Sequence, residues 1–212
     1  IATLDRRDEE DEPPMTSEAE GEAFTLAAIP PIEPKIDRFL FCRHGQTAGN
    51  FTRIIQGPDI ELNETGLAQA AAAGEKLKGV AFRHIFCSDM RRAKDTGEAI
   101  ARATGKPITF MPDLRERYFG SLIGTTSTTL DWLYDPPEGE TFRGFIDRTK
   151  RGVAEIVCAA ETHDEPPLIV SHGGVLRVIV AALGAVVDEA ARQNATPLQI
   201  YCERQGWHVS IL

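Results

Sequence analysis

The chain has 212 residues, 42% of them hydrophobic and 26% charged, with a formal charge of −9; this fits one α/β domain of ordinary globular composition with a substantial core. The charge is uneven, because residues 1–36 carry ten acids against Arg6, Arg7 and Lys35, a net of −7, which leaves only −2 for the other 176 residues. No basic face that would attract nucleic acid follows from that balance.

Residues 1–35 read as an acidic, Pro-containing N-terminal extension. Its first 22 residues bury too little apolar surface to offset the entropy of ordering, so disorder is the expectation there. Phe24, Leu26, Ile29 and Ile32 could pack along the body. The run AFTLAAIPPI at 23–32 follows acids and contains Pro30 and Pro31, so it makes a poor signal peptide. No apolar run reaches the ~18 residues of a membrane span. Cys42, Cys87, Cys158 and Cys202 form no CxxC pair and read as reduced thiols. A cytoplasmic protein with no membrane partner is therefore expected.

From residue 36 onward strand and helix patterns alternate. DRFLFC (37–42) predicts a short buried strand. Asn63 predicts the N-cap of a helix with Leu67, Ala70, Ala71, Gly74 and Leu77 inward. FRHIFCS (82–88) is a second strand, leading to a helix with Ala93, Gly97, Ile100 and Ala101 inward. PITFM (107–111) is a third strand. Residues 141–160 give the clearest amphipathic helix, with Phe142, Phe145, Ile146, Thr149, Val153, Ile156 and Val157 on one face. PLIVSH (167–172) is a strand running into the apolar helix GGVLRVIVAAL, and LQIYCE and WHVSIL suggest a hairpin turning at Gln205-Gly206. The predicted fold is a three-layer α/β/α sandwich on a mainly parallel central sheet.

In such sheets ligands bind at the carboxyl ends of the strands. Four of these ends carry polar residues: Arg43-His44-Gly45, Ser88 to Arg92, Arg115-Glu116-Arg117 and Ser171-His172-Gly173-Gly174. Glycine after each histidine would let backbone amides approach a ligand, and helix starts after Ser88 and His172 would add positive dipole ends. Two histidines, two arginines and one acid suit a tetrahedral anion. Taken singly, each has a plainer reading as a structural histidine or a surface ion pair, and only their joint occurrence at successive strand ends favours a site.

These residues resemble the histidine phosphatase superfamily, with its phosphoglycerate mutase-like fold. RHGQTAGN is similar to its signature, and QGPDIELNETG, CSDMRRAKDT, LRERYFGSLIG, PPEGETF and VSHGGVLR follow in the family's order. The resemblance spans residues 36–212, which would form the catalytic domain. It implies that His44 is the nucleophile and forms a phosphohistidine. Arg43 and Arg92 would hold phosphate oxygens, His172 would complete the charged pocket, and Asn50, Thr47, Gln56 and the backbone of Gly173 would contribute further contacts. Glu116 would protonate the leaving alkoxide and then deprotonate the attacking water. No metal or other cofactor is implied.

Within that family the chain resembles the phosphatase branch. Cofactor-dependent mutases carry a longer insertion between acid and second histidine, whereas only 55 residues separate Glu116 from His172. Gln46, Gly49 and Ile123 depart from the family's usual glutamate, tryptophan and glutamate, which bears on substrate choice. The segment TTSTTLDWLYDPPEGETF (125–142) should form much of a lid, and it holds no Lys or Arg. That points to a small-molecule monophosphate ester with a neutral or apolar leaving group, with Trp132 and Tyr134 as possible contacts. A mutase, a protein phosphatase and a phosphate-binding pseudoenzyme are the alternatives. A cysteine phosphatase is excluded, since six positions after Cys42 and Cys87 stand Ala48 and Ala93 rather than arginine.

Overall fold

The computed structural model describes residues 29–158, 165–204 and 206–212. The acidic run, Phe24, Leu26 and the end of the 141–160 pattern lie outside the described residues. Ile29 and Ile32 are buried in the core, and the Ile32 amide bonds the Ala182 carbonyl at 3.0 Å.

Six strands form one sheet in the order β3-β2-β4-β1-β5-β6. They are β1 (Arg38–Arg43), β2 (Ile85–Cys87), β3 (Ile108–Phe110), β4 (Leu168–Ser171), β5 (Pro197–Glu203) and β6 (Gly206–Ile211). β3, β2, β4 and β1 run parallel; β5 pairs antiparallel with both β1 and β6. The expected hairpin is present, but Gly206, expected in the turn, already belongs to β6 and pairs with Glu203, while Gln205 lies outside the described residues. Every residue of β4 is buried, as a parallel strand covered on both faces requires.

The described residues form five α-helices: α1 (Ala48–Thr52), which has no buried residue, and α2 (Glu64–Leu77), α3 (Arg91–Thr104), α4 (Phe142–Val157) and α5 (Gly173–Ala182), which flank the sheet. The alternation in β1 divides the core. Phe39 and Phe41 pack with Phe145, Ile146 and Val153 of α4 and with α5. Leu40 and Cys42 pack on the opposite face with Ala73 and Leu77 of α2 and Ile100 of α3. The result is the three-layer sandwich.

Asn63 caps α2 as expected, its side chain accepting the Gly66 amide. The inward stripe differs from the predicted one. It consists of Gly66, Ala70, Ala73, Gly74 and Leu77, while Ala71 is exposed and Leu67 is 55% exposed. Close approach selects this face: a Cβ on Gly74 would stand 2.8 Å from Ala103 Cβ of α3, and one on Gly66 would overlap the Gln46 carbonyl. Small residues, rather than the largest apolar one, mark the contact.

Register positions the strand ends. Arg43 pairs Ser171, and Cys87 pairs Val170. The ladder continues one step beyond the strands, with the His44 amide on the Ser171 carbonyl and the Ser88 amide on the Val170 carbonyl, both at 2.9 Å. His44, His172 and Ser88 therefore leave neighbouring strands at one level.

Candidate active site

His44 follows β1 and is 3% exposed. Its Nδ1 lies 2.7 Å from the Gly45 carbonyl, which can only accept, so Nδ1 carries the proton. Nε2 is left with its lone pair and receives the Arg92 Nε–H at 3.3 Å. Burial first, then the charges of Arg92 and Arg43, hold this imidazole well below the ordinary histidine pKa, against the opposing pull of the Gly45 bond. It is a neutral base with a defined tautomer.

Arg92 is delivered by the first turn of α3 and is itself buried. Its Nη1 donates to the Gly57 carbonyl at 2.9 Å. One turn on, the Thr96 hydroxyl donates to the Arg92 carbonyl and accepts the Gly45 amide. The Gly45 amide is thus consumed by the protein, and the missing side chain makes room for the Gly66 carbonyl. Gly45 serves helix packing, not the close ligand approach expected of it.

The His172 ring is fully buried, its centroid 5.1 Å from that of His44. Its Nε2 stands 2.8 Å from Ser88 Oγ, which also accepts the Met90 amide at 3.3 Å. Burial, then Arg92, His44 and Arg43, keep this ring neutral as well. Among the described residues no protein atom bonds the buried His172 Nδ1 or Arg43 Nε. Arg43 Nη1 donates to the Arg192 carbonyl at 2.8 Å.

Asn50 is oriented by a cap. The Thr47 amide donates to Asn50 Oδ1 at 3.2 Å and the Thr47 hydroxyl at 2.9 Å, while Thr47 Oγ1 accepts the Asn50 amide. Asn194 Nδ2 adds a bond at 3.3 Å to the same oxygen and one at 2.8 Å to the His44 carbonyl. Oδ1 is occupied, so the Asn50 side chain has its NH2 to offer a ligand. Thr47, expected as a further donor, is buried and used as the cap.

Glu116 lies against the start of α5. Its Oε2 accepts the Gly174 amide at 3.0 Å and Oε1 accepts the Arg117 amide at 3.1 Å, a favourable place for a carboxylate at a helix N-terminus. Gly174 has to be glycine: a Cβ would overlap Glu116 Oε1 and sit 2.8 Å from the Trp132 ring. Gln56 packs across Gly49, where any Cβ would meet its side chain. The family's frequent tryptophan at that place is incompatible with this placement of Gln56.

Arg43, His44, Asn50, Gln56, Arg92, Glu116 and Gly173 line one open cleft of about 700 Å³, with His172 buried beside His44. The sequence-predicted set is therefore brought together. Trp132 of the lid lines the cleft, whereas Tyr134 stays outside it and half-exposed. The lid segment holds no cation, but Arg53, Arg177 and Arg192 reach the same cleft from other elements. The inference of a cation-poor leaving-group end is thereby corrected.

Several contributors escaped the sequence reading, Arg53, Arg177 and Arg192 among them. Asn194 sits in a loop with no motif. Arg117 was visible within RERY, but not its task. Only 1% exposed, it donates to the Glu140 and Tyr134 carbonyls at 3.0 and 2.8 Å, to Asp135 Oδ1 at 2.9 Å and to the Trp132 carbonyl, and it packs over Phe119 and Phe142. The lid hangs on this guanidinium. Arg177 lies four residues after Gly173, and helical periodicity alone could have placed it at the site. Among the described residues no group of three or more His, Cys, Asp or Glu could hold a metal ion.

Comparison with known proteins gives the family. A family model described as histidine phosphatase superfamily (branch 1) matches residues 39–211. A metal-independent phosphoserine phosphatase of Arabidopsis thaliana is 32% identical over 194 residues, covering 83% of this chain and 81% of that protein. A glucosyl-3-phosphoglycerate phosphatase of Mycolicibacterium vanbaalenii is 34% identical over 174 residues, covering 73% and 77%. The solved structure of a mycobacterial glucosyl-3-phosphoglycerate phosphatase with VO3 superposes with a TM-score of 0.68 at 29% identity, covering 83% of this chain and 97% of the other.

Proposed function

Since the chain belongs to the histidine phosphatase superfamily (branch 1) and is a phosphoric monoester hydrolase, we propose that it hydrolyses small-molecule phosphate esters through a phosphohistidine on His44, without a metal ion. The observation that carries this reading is the His44 ring itself: Nδ1–H bound to the Gly45 carbonyl, and a lone pair on Nε2 beside the Arg92 guanidinium. A neutral, oriented imidazole is a competent nucleophile near neutral pH.

In the first step Nε2 attacks phosphorus in line. The N–P bond forms as the P–O bond to the leaving group breaks, and Glu116 passes its proton to the departing oxygen. Arg43 and Arg92 offset the charge on the equatorial oxygens, where catalysis of this transfer is mostly positioning and electrostatics. His172, the Asn50 NH2, Gln56 and the Gly173 amide complete the cradle. In the second step Glu116, now a carboxylate, takes a proton from water; the hydroxide attacks phosphorus, the N–P bond breaks, and inorganic phosphate leaves. His44 recovers its lone pair, so the cycle closes without net proton change in the protein.

The open cleft supports hydrolysis over retention of the phosphoryl group, since water can enter it. The relatives named for phosphoserine and glucosyl-3-phosphoglycerate make these two esters the first candidates for this chain. Release of inorganic phosphate from both, from p-nitrophenyl phosphate and from a phosphopeptide is the test. The proposal expects small esters to be cleaved and a folded His44→Ala protein to be inactive. Wild-type turnover by that variant contradicts the mechanism, and preference for the phosphopeptide contradicts the substrate class.

A further inference from the structure

The carboxyl edge of the parallel strands receives one segment from the opposite direction. β5 runs antiparallel to β1, with Cys42 paired to Pro197. The residues that enter β5, rather than those that leave it, therefore lie beside the exit of β1. Three of them bond that exit. The Arg192 carbonyl accepts Arg43 Nη1 at 2.8 Å. The Ala195 amide donates to the Arg43 carbonyl at 2.9 Å and to the His44 carbonyl at 3.3 Å. Between them, Asn194 Nδ2 donates to the His44 carbonyl at 2.8 Å and to Asn50 Oδ1 at 3.3 Å.

The Asn194 amide can sit only one way round. A backbone carbonyl only accepts, and Asn50 Oδ1 already accepts the Thr47 amide. Both partners are acceptors, so the atom between them must be the NH2. One NH2 thus ties the backbone of the nucleophile to the side chain offered to phosphate. The Thr47 cap orients Asn50 within its own turn, but it does not join that turn to the exit of β1. Packing helps little, since α1 has no buried residue. The turn that presents Asn194 is held at a conformational cost: Ala195 is buried with φ at 50°, in the left-handed region that non-glycine residues rarely adopt. Asn194 also lines the cleft, yet neither proposed chemical step uses it.

Resting on the phosphatase reading, we infer that Asn194 is a positioning residue: by bridging the His44 carbonyl and Asn50 Oδ1, it sets the Asn50 NH2 at a fixed place relative to the nucleophile. Phosphate held by that NH2 then presents phosphorus in line with His44 Nε2. Placement of this kind governs the rate of a transfer in which positioning does most of the work. Asn194 acts largely through Asn50, and its effect should depend on Asn50 being there.

The test is a double-variant cycle of Asn194→Ala and Asn50→Ala, with folding checked by circular dichroism. It is read as kcat/KM on p-nitrophenyl phosphate and as affinity for orthovanadate by calorimetry, which needs no turnover. Each single variant is expected to lower both readouts by about 10-fold, as loss of one hydrogen bond allows. In the Asn50→Ala background, Asn194→Ala should cost less than about 3-fold, because the group it places is gone. Asn194→Asp keeps the shape without the NH2 and should lose at least as much as the alanine variant; it replaces that variant if Asn194→Ala does not fold. A purely structural role predicts the same loss in both backgrounds, and that result overturns the inference. So does wild-type vanadate affinity in the Asn194 variants or in Asn50→Ala. Hydrolysis of p-nitrophenyl phosphate that depends on His44 leaves the phosphatase reading standing through any of these failures. Vanadate binding that follows the cycle in a protein without turnover supports the positioning role and overturns hydrolysis alone. A wild-type protein that neither cleaves the ester nor binds vanadate overturns both.

Discussion

The floor of the cleft and its rim are built by different means. On the floor, three functional groups leave a strand or enter a helix at the carboxyl edge of the sheet: His44 after β1, His172 after β4, Arg92 in the first turn of α3. Backbone atoms then lock the details, with the Gly45 carbonyl choosing the His44 tautomer and the Gly174 amide holding Glu116. The rim has no regular structure over most of residues 123–141. It is held by side-chain bonds, above all those of Arg117. A reaction can be conserved in geometry by the first kind of construction, while the second kind leaves the surroundings of the leaving group open to change.

The comparison can be broken most forcefully at the floor. Glu116→Gln keeps the shape but removes the proton, and kcat on an alkyl phosphate should drop by about 10²–10⁴-fold. The loss should be much smaller for p-nitrophenyl phosphate, whose leaving group needs little protonation. Equal losses on both would show that Glu116 does not protonate the leaving group.

At the rim the largest effect falls on stability. Arg117→Ala strips donors from three lid carbonyls and from Asp135, and urea unfolding should register a loss of about 3 kcal/mol. Fluorescence of Trp132 should change as well, since the lid loses its anchor. A stable variant with an unaltered spectrum would mean that the lid is held elsewhere.

The pH dependence returns to the floor. His44 and His172 are neutral when folded, with pKa values depressed below the unfolded value of about 6.5. Below that pH the unfolded chain takes up protons that the folded chain refuses. Stability is therefore full above about pH 6.5 and falls as pH drops, by up to about 1.4 kcal/mol per pH unit for each histidine. Urea midpoints at pH 7 and 5.5 should reveal the slope, and a His44→Gln, His172→Gln double variant should flatten it. A slope unchanged in the double variant would assign it to other groups.

The smallest effect sharpens the account of a residue misread from sequence. Thr47→Ala removes the cap that turns Asn50, and should cost about 1 kcal/mol of stability. Activity should fall only several-fold, as expected if Thr47 positions Asn50 and does not touch phosphate itself. A catalytic loss as large as that of Glu116→Gln would restore Thr47 as a direct ligand.

The same contrast explains what could be read from the sequence. His44, His172 and Arg92 were legible because each stands at a predictable strand end or helix start within a short motif, whereas Glu116 lies past the 3-10 turn Pro112–Leu114 that follows β3, not at the strand end expected, and was legible through its motif alone. The buried runs of β1 and β4 were legible too, since a short continuous apolar run is a local property. Leu67 was misplaced because the inward face of α2 is set by close approach, of Gly66 to the Gln46 backbone and of Gly74 to α3, a tertiary property that hydrophobicity does not encode. Arg117 and Asn194 were opaque because their partners lie on other segments: Arg117 binds Glu140, 23 positions away, and Asn194 binds the His44 carbonyl, 150 positions away. The cations of the rim were missed by a search confined to the lid, when they arrive from α1, α5 and the approach to β5.

The central claim is a covalent phosphoryl group on His44 Nε2. Rapid acid-sparing quench of the enzyme with p-nitrophenyl phosphate, followed by peptide mass spectrometry, tests it most directly. The account predicts phosphate on the peptide carrying His44, formed within the first turnover and absent from a folded His44→Ala protein. Full hydrolysis by single-turnover enzyme with no phosphorylated histidine at any time, or with the label on His172, would contradict it.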